Sequence, residues 1–342
     1  YTDTAAGLTA GFGAIGGVTI ALICALTMHH LPLRTLAIAG LCVSGAGNLG
    51  AALFYEQQSL FYALRVLGAF GDGACYAAVM SYFARLNSSE RCYGLFMMLQ
   101  FGIAAVALYS LPTYLPTMDV RSMYLGFAGV AVVGLMLAPL LPNTAALAEG
   151  ISIRGSEWRL ILTVPALAGL LALAAFESSN VSTDAYLERI AVHAGLSDGE
   201  IGASLGLASL MGVPGAFAIL WLGSRFGHAK PVFLGIAVGA LSLYLTLNAE
   251  EYSTFLFWVC VHSVTWAFTL PYIQSLLADM DAGGAVVTAG GLASGAGGGL
   301  GPTAAAMLVT NSDYSGVLVV GLVAYAVAAV GIVIAGRALH AV

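Results

Sequence analysis

The run Val317-Leu-Val-Val-Gly-Leu-Val-Ala-Tyr-Ala-Val-Ala-Ala-Val-Gly-Ile-Val-Ile-Ala335 carries no charge and is apolar around its whole circumference. A helix of that length spans the hydrocarbon core of a bilayer, which takes about 20 apolar residues. Leu125 to Leu141 repeats the pattern. In water such helices would need a polar outer face, and neither has one. The composition agrees: the 342 residues are 60% hydrophobic and 8% charged, against about 45–50% and about 25% in soluble domains. A membrane β-barrel would show segments of about 10 residues alternating polar and apolar, whereas these runs are longer and do not alternate. The fold class is all-α integral membrane.

Apolar stretches bounded by charges, Pro or Asn give eleven candidate spans, near 5–28, 33–54, 59–84, 92–113, 121–142, 157–187, 199–222, 231–248, 253–278, 284–309 and 315–338. The polar stretch Asn143 to Glu157, with Glu149 and Arg154, divides five of them from six. Transporters are commonly built from repeated helix triplets, so five against six predicts one helix missing from the front and twelve in the intact protein. The chain begins at Tyr1 with neither methionine nor charged leader, which fits a missing N-terminus. The predicted organisation is a first bundle over 1–142, a cytoplasmic linker over 143–156 and a second bundle over 157–342. Arg34, Arg85, Arg91, Arg154, Arg159, Arg225, Lys230 and Arg337 fall on one side of alternating spans, Arg121 and Arg189 on the other, and Arg65 within a span. Cytoplasmic loops retain positive charge, so residue 1 is expected outside and the C-terminus in the cytoplasm.

Several motifs carry a family resemblance. Arg65-Val-Leu-Gly-Ala-Phe-Gly71-Asp-Gly73 resembles the R-x-x-x-G-x-G pattern of the fourth helix of the major facilitator superfamily, with Ala69 in place of the first glycine. Gly223-Ser-Arg225-Phe-Gly227-His-Ala-Lys230 resembles the loop signature G-x-x-x-D-R-x-G-R-R after the eighth helix, with Ser224 where the acid belongs. Met28-His29-His30-Leu-Pro32-Leu-Arg34 holds the corresponding place in the first half with little of the motif. Cys92 to Thr113, in the place of the fifth helix, lacks the G-P signature of proton-driven drug antiporters. The resemblance covers the whole chain. It implies two six-helix bundles with eleven of twelve helices present, family helices 2–6 in the first bundle and 7–12 in the second. It also implies that family helices 4, 7 and 10, with the absent first, line a central cavity.

Other motifs exclude function classes. Gly11-Phe-Gly13-Ala-Ile-Gly16 matches G-x-G-x-x-G but follows no strand, so no dinucleotide site is expected. The glycine-rich run from Gly295 to Pro302 reads as close helix packing. The five cysteines are scattered with no C-x-x-C pair, and no H-E-x-x-H or G-x-S-x-G occurs. No enzyme, cofactor or metal is expected. A net charge of −6 without a basic cluster argues against a nucleic-acid partner.

A charge at mid-bilayer costs about 2.5–3.5 kcal/mol on insertion scales, which makes ionisable groups inside spans the candidate functional residues. Arg65 and Asp72 share one face of the span over 59–84, with Tyr76 one turn further. Glu177 and Asp184 repeat that spacing on the sixth span, with Asn180 between them. His262 and Trp266 form an i, i+4 pair on the ninth, and Tyr272 lies beyond. By the resemblance these spans are family helices 4, 7 and 10. Arg65 and Asp72 read either as binding residues or as a structural pair that neutralises itself, and His262 either as a working group or as a packing histidine. The candidate substrate-binding set is Arg65, Asp72, Tyr76, Asn180, His262, Trp266 and Tyr272. The candidate proton-coupling set is Glu177, Asp72 and His262. Counted about twenty residues from Glu157 at 1.5 Å each, Glu177 is expected in the outer half, with Asp184 near the outer surface. His29 and His30 are expected in a cytoplasmic loop.

The expected function is a secondary active transporter that moves a small solute by alternating access, driven by a proton gradient. The expected solute is an organic anion, because a guanidinium such as that of Arg65 holds a carboxylate bidentately. The alternative is an exporter of apolar or amphipathic compounds; a non-transporting receptor or an intramembrane enzyme fits less well. The expected setting is a multi-pass protein of the cell membrane, a bacterial inner membrane. It would work as a monomer, with lipid and a small-molecule substrate as its partners.

Overall fold

The computed structural model describes residues 16–17, 19–20, 23–24, 32–84, 86, 88–114, 119–141, 158–280, 285–309 and 313–339. Among the described residues are ten long helices: α1 (Leu33–Leu53), α2 (Gln58–Ala84), α3 (Ser89–Tyr114), α4 (Val120–Leu137), α5 (Val164–His193), α6 (Asp198–Leu222), α7 (Ala229–Leu247), α8 (Tyr252–Ala278), α9 (Ala285–Leu308) and α10 (Ser315–Leu339). They coincide with ten of the eleven expected spans. The first, 5–28, is described at six positions only, all helical. Eight of the ten are long and apolar enough to cross a membrane by length and composition. Val130, Met136, Val164 and Trp221 are among the side chains left exposed on them, as lipid rather than water requires. The expected linker over Asn143 to Glu157, with His29, His30 and Arg85, lies outside the described residues.

Helix ends follow local chemistry. Asp119 caps α4, its carboxylate accepting from the Ser122 backbone N–H at 2.8 Å, and these bonds hold its pKa below the ordinary value. Ser197 and Glu200 form a capping box at the start of α6. Gly223 closes that helix at φ 54°, a left-handed conformation that disfavours any side chain.

One sequence expectation needs correction. The span expected over 157–187 is a single turn, Trp158–Ile161, then a break, then α5 beginning at Val164 with Pro165 in its first turn. Proline lacks an N–H, and in the first turn that missing donor costs no helical bond, so Pro165 suits the start of α5. Glu177 consequently lies about 20 Å along α5 from its start and about 24 Å from its end at 1.5 Å per residue. It is central on its helix.

The helices form two compact units. Unit 1 (Tyr1–Arg85, Tyr114–Leu162, Asp281–Gly295) holds α1, α2 and α4. Its backbones nearly touch: a Cβ on Gly47 would lie 2.5 Å from the Gly68 nitrogen, and one on Gly40 would lie 2.8 Å from the Gly71 oxygen. Small residues replace the hydrophobic drive that lipid removes. Unit 2 (Leu86–Thr113, Thr163–Met280, Ala296–Val342) holds α3, α5, α6, α7, α8 and α10, with the C-terminal part of α9. There Gly297 and Gly301 of α9 face the α5 backbone at Ala174 and Ser178, and Gly215 of α6 faces Val264 of α8. Chain order groups α3 with the first bundle, but its contacts are in unit 2, where Phe101 meets the Trp266 ring edge-on.

Candidate functional site

In unit 1, Arg65 and Asp72 both lie on α2 but form no ion pair with each other among the described residues. Each is held by α1. Arg65 donates from Nη1 to Asn48 Oδ1 at 3.1 Å, and Asp72 accepts from the Ser44 hydroxyl. Asn48 also donates from Nδ2 to the Ser44 carbonyl at 3.0 Å and lies 3.3 Å from its hydroxyl. The result is one polar chain, Arg65 to Asn48 to Ser44 to Asp72. The guanidinium also stands 5.0 Å over the Tyr124 ring of α4, a cation–π contact, while its Nε is buried without a partner. Asp72 is exposed and Tyr76, one turn on, is half-buried. Sequence reasoning missed Ser44 and Asn48; their i, i+4 spacing within an apolar run was the available signal.

In unit 2, Glu177 of α5 is 7% exposed and has no ion-pair partner among the described residues. Trp266 of α8 approaches it, yet the indole N–H closes no hydrogen bond of good geometry. His262, one turn from Trp266 on the same face, is 1% exposed, and neither of its ring nitrogens has a partner. Asp184 presents accessible surface.

Two other candidates face elsewhere. Asn180 is fully buried; it donates to the Phe176 carbonyl at 2.7 Å and accepts from Tyr325 of α10 at 3.2 Å, so its amide ties α5 to α10. Tyr272 donates to the Gly223 carbonyl at 2.9 Å and lies beside His228, whose Nδ1 is 2.8 Å from Asp279. Its hydroxyl secures the loop between α6 and α7. Separately, the far ends of α5 and α7 and the start of α10 enclose a recess of about 720 Å³, with His193, Glu250, Asp313 and Tyr314 in its wall.

The Major Facilitator Superfamily model matches residues 1–302 of the chain. No curated protein matches it in sequence. Among solved structures it is similar to the E. coli fucose:proton symporter FucP, at 19% identity over 98% of this chain and 91% of that one, with a TM-score of 0.77. It is also similar to a bacterial homologue of the iron transporter ferroportin in an outward-facing state, at 14% identity over 98% and 91% with a TM-score of 0.79. The proton:xylose symporter XylE is similar at 13% identity over 96% and 86%, with a TM-score of 0.76. At these identities the likeness shows the fold alone.

Proposed function

Since the chain belongs to the major facilitator superfamily, a family of multi-pass membrane transporters and not of enzymes, we propose that it is a proton-coupled secondary transporter of a small organic anion. Its setting on this reading is a bacterial inner membrane, where a proton gradient is the driving force and no cofactor takes part. The carrying observation is Glu177, a buried carboxyl group at the middle of α5 with no cation beside it among the described residues. An intramembrane acid without a structural partner is a functional group by default, and a carboxyl that takes and releases a proton links the gradient to the solute. The two predicted bundles, over 1–142 and 157–342, would then alternate access to the solute.

The test uses proteoliposomes with an imposed pH gradient and a panel of labelled acids. Wild type should accumulate its acid; Glu177→Gln should lose accumulation but keep exchange of labelled for unlabelled solute, because exchange moves no net proton. Accumulation by Glu177→Gln with wild-type pH dependence would refute the assignment. A neutral sugar is the second reading, because FucP is a fucose:proton symporter and XylE a proton:xylose symporter and the Arg65 guanidinium is already engaged by Asn48 and Tyr124. L-fucose and D-xylose therefore belong in the same panel.

A further inference from the structure

Some buried polar groups of unit 2 are paired within the fold and some are not, the Ser204 and Thr246 hydroxyls among the latter. Asn180, Ser182, Thr183, Thr265 and Thr269 all bond to backbone carbonyls of their own helices. His262 and Trp266 do not: Nδ1 and Nε2 of the imidazole and Nε1 of the indole are all buried and unpaired. An unpaired buried hydrogen-bonding group costs about 1–3 kcal/mol. Three such atoms on adjacent turns of one helix face, with the Glu177 carboxyl group beside the indole, describe a place where something from outside the chain completes the bonding.

We propose that His262, Trp266 and Glu177 bind a small carboxylate that carries a hydroxyl on the neighbouring carbon. A neutral imidazole offers one donor and one acceptor, and an indole offers one donor. The ligand must therefore bring two acceptors and one donor. An ammonium group brings donors only and leaves both ring N–H groups unpaired. A plain carboxylate brings acceptors only and leaves the imidazole acceptor unpaired. A 2-hydroxy acid satisfies every atom: its carboxylate takes the indole N–H and the imidazole N–H, and its hydroxyl donates to the second imidazole nitrogen.

Glu177 then sets the condition for binding. Protonated, it donates its O–H to the ligand carboxylate; ionised, it repels it at close range, so proton and anion enter together. The choice of an acid over a diol rests on the proton-coupled reading above, because a diol is indifferent to the charge of Glu177. The other titratable groups facing Glu177 are Asp184 on α5 and Tyr325 from α10. Neither supplies a positive charge that would hold the anion without the proton. Residues 202–222 of α6 and 296–308 of α9 carry no titratable group, and α3 contributes Phe101, edge-on to Trp266 at 5.8 Å.

The experiment is calorimetric titration of the purified protein with L-lactate and L-mandelate, their hydroxyl-free analogues propionate and phenylacetate, and propane-1,2-diol, at acid and at mildly alkaline pH. At least one hydroxy acid should bind about 10-fold or more tighter than its analogue, more tightly at acid pH, and the diol should not bind. His262→Phe and Trp266→Phe should each weaken binding about 10- to 100-fold. Glu177→Gln, a permanent donor, should bind at both pH values alike. Thermal unfolding establishes that each variant is folded, and for one that is not, the wild-type pH dependence and the analogue comparison decide. Equal binding of hydroxy acids and analogues, binding of the diol, or no binding of any acid overturns the inference. Proton-driven uptake of another solute with no hydroxy-acid binding sinks this inference and leaves the transport reading. Hydroxy-acid binding without proton-driven uptake does the reverse.

Discussion

Replacing Gly47 with alanine tests whether α1 and α2 are held by backbone contact. A Cβ there would lie 2.5 Å from the Gly68 nitrogen, 2.6 Å from its Cα and 2.9 Å from the Leu64 carbonyl oxygen. Carbon atoms prefer about 3.5–4.0 Å, so the helices must part by about 1 Å, and none of the three atoms can rotate away. Overpacking of this kind costs about 1–3 kcal/mol, while alanine in a helix is favoured over glycine by about 1 kcal/mol. The net expectation is a loss of about 0–2 kcal/mol, and of about 1–3 kcal/mol relative to the same change where the Cβ meets nothing. Gly126 on α4 is the control, because a Cβ there meets nothing within 4 Å and only the propensity acts. Reversible unfolding in mixed micelles compares the two variants. Gly47→Ala as stable as Gly126→Ala would show that the close approach does not hold the helices. Asn48 is the next residue, so parting the helices should also lengthen its bond to Arg65.

Asn48→Ala should cost about 1.5 kcal/mol, near the upper end for hydrogen bonds between membrane helices because the partner is charged. It should also make Arg65 more reactive to phenylglyoxal; unchanged reactivity would remove Asn48 as its anchor. Asp119 has a depressed folded pKa through its bonds to Ser122, so its cap should stabilise α4 above the unfolded carboxylate value of about 3.9 and fade as pH falls through the folded value. Ser122 amide exchange should quicken across that window in wild type and be fast throughout in Asp119→Ala. His228→Ala removes the contact with Asp279 and should speed tryptic cleavage after Arg225; an unaltered cleavage rate would mean that Tyr272 alone holds the loop.

Lipid makes hydropathy nearly sufficient for locating helices, which is why 33–54 became Leu33–Leu53 and 253–278 became Tyr252–Ala278. It is insufficient where an apolar run hides a break. Trp158 to Pro165 reads as the opening of one long span, but the helix breaks after Ile161 and restarts at Val164 with Pro165 in its first turn. That break places Glu177 at the middle of α5. The candidate residues were legible one helix at a time, since a charge in an apolar run stands out. Their partners were not: the register that brings Ser44 to Asp72 and Asn48 to Arg65 is set by how closely Gly40 and Gly47 let α1 approach α2, and helix periodicity carries no information about a neighbour.

The same two observations, charge inside a span and partner across it, separate the two units by chemistry. Arg65 and Asp72 were the more conspicuous pair in sequence, yet α1 supplies each with a hydrogen-bonding neighbour, and apart from the Arg65 Nε the chain is complete without a ligand. Glu177, His262 and Trp266 are a lone acid, a lone histidine and a tryptophan on two helices, and among the described residues Glu177 has no ion-pair partner while the ring nitrogens of His262 and Trp266 make no well-formed hydrogen bond. Since burying an unpaired polar group is among the costlier things a membrane helix does, the incomplete set is where a passing solute has bonding to offer. The two sites are therefore separable: neutral replacements at Ser44 or Asn48 should act mainly through stability, whereas those at His262 or Trp266 should spare stability and change what binds.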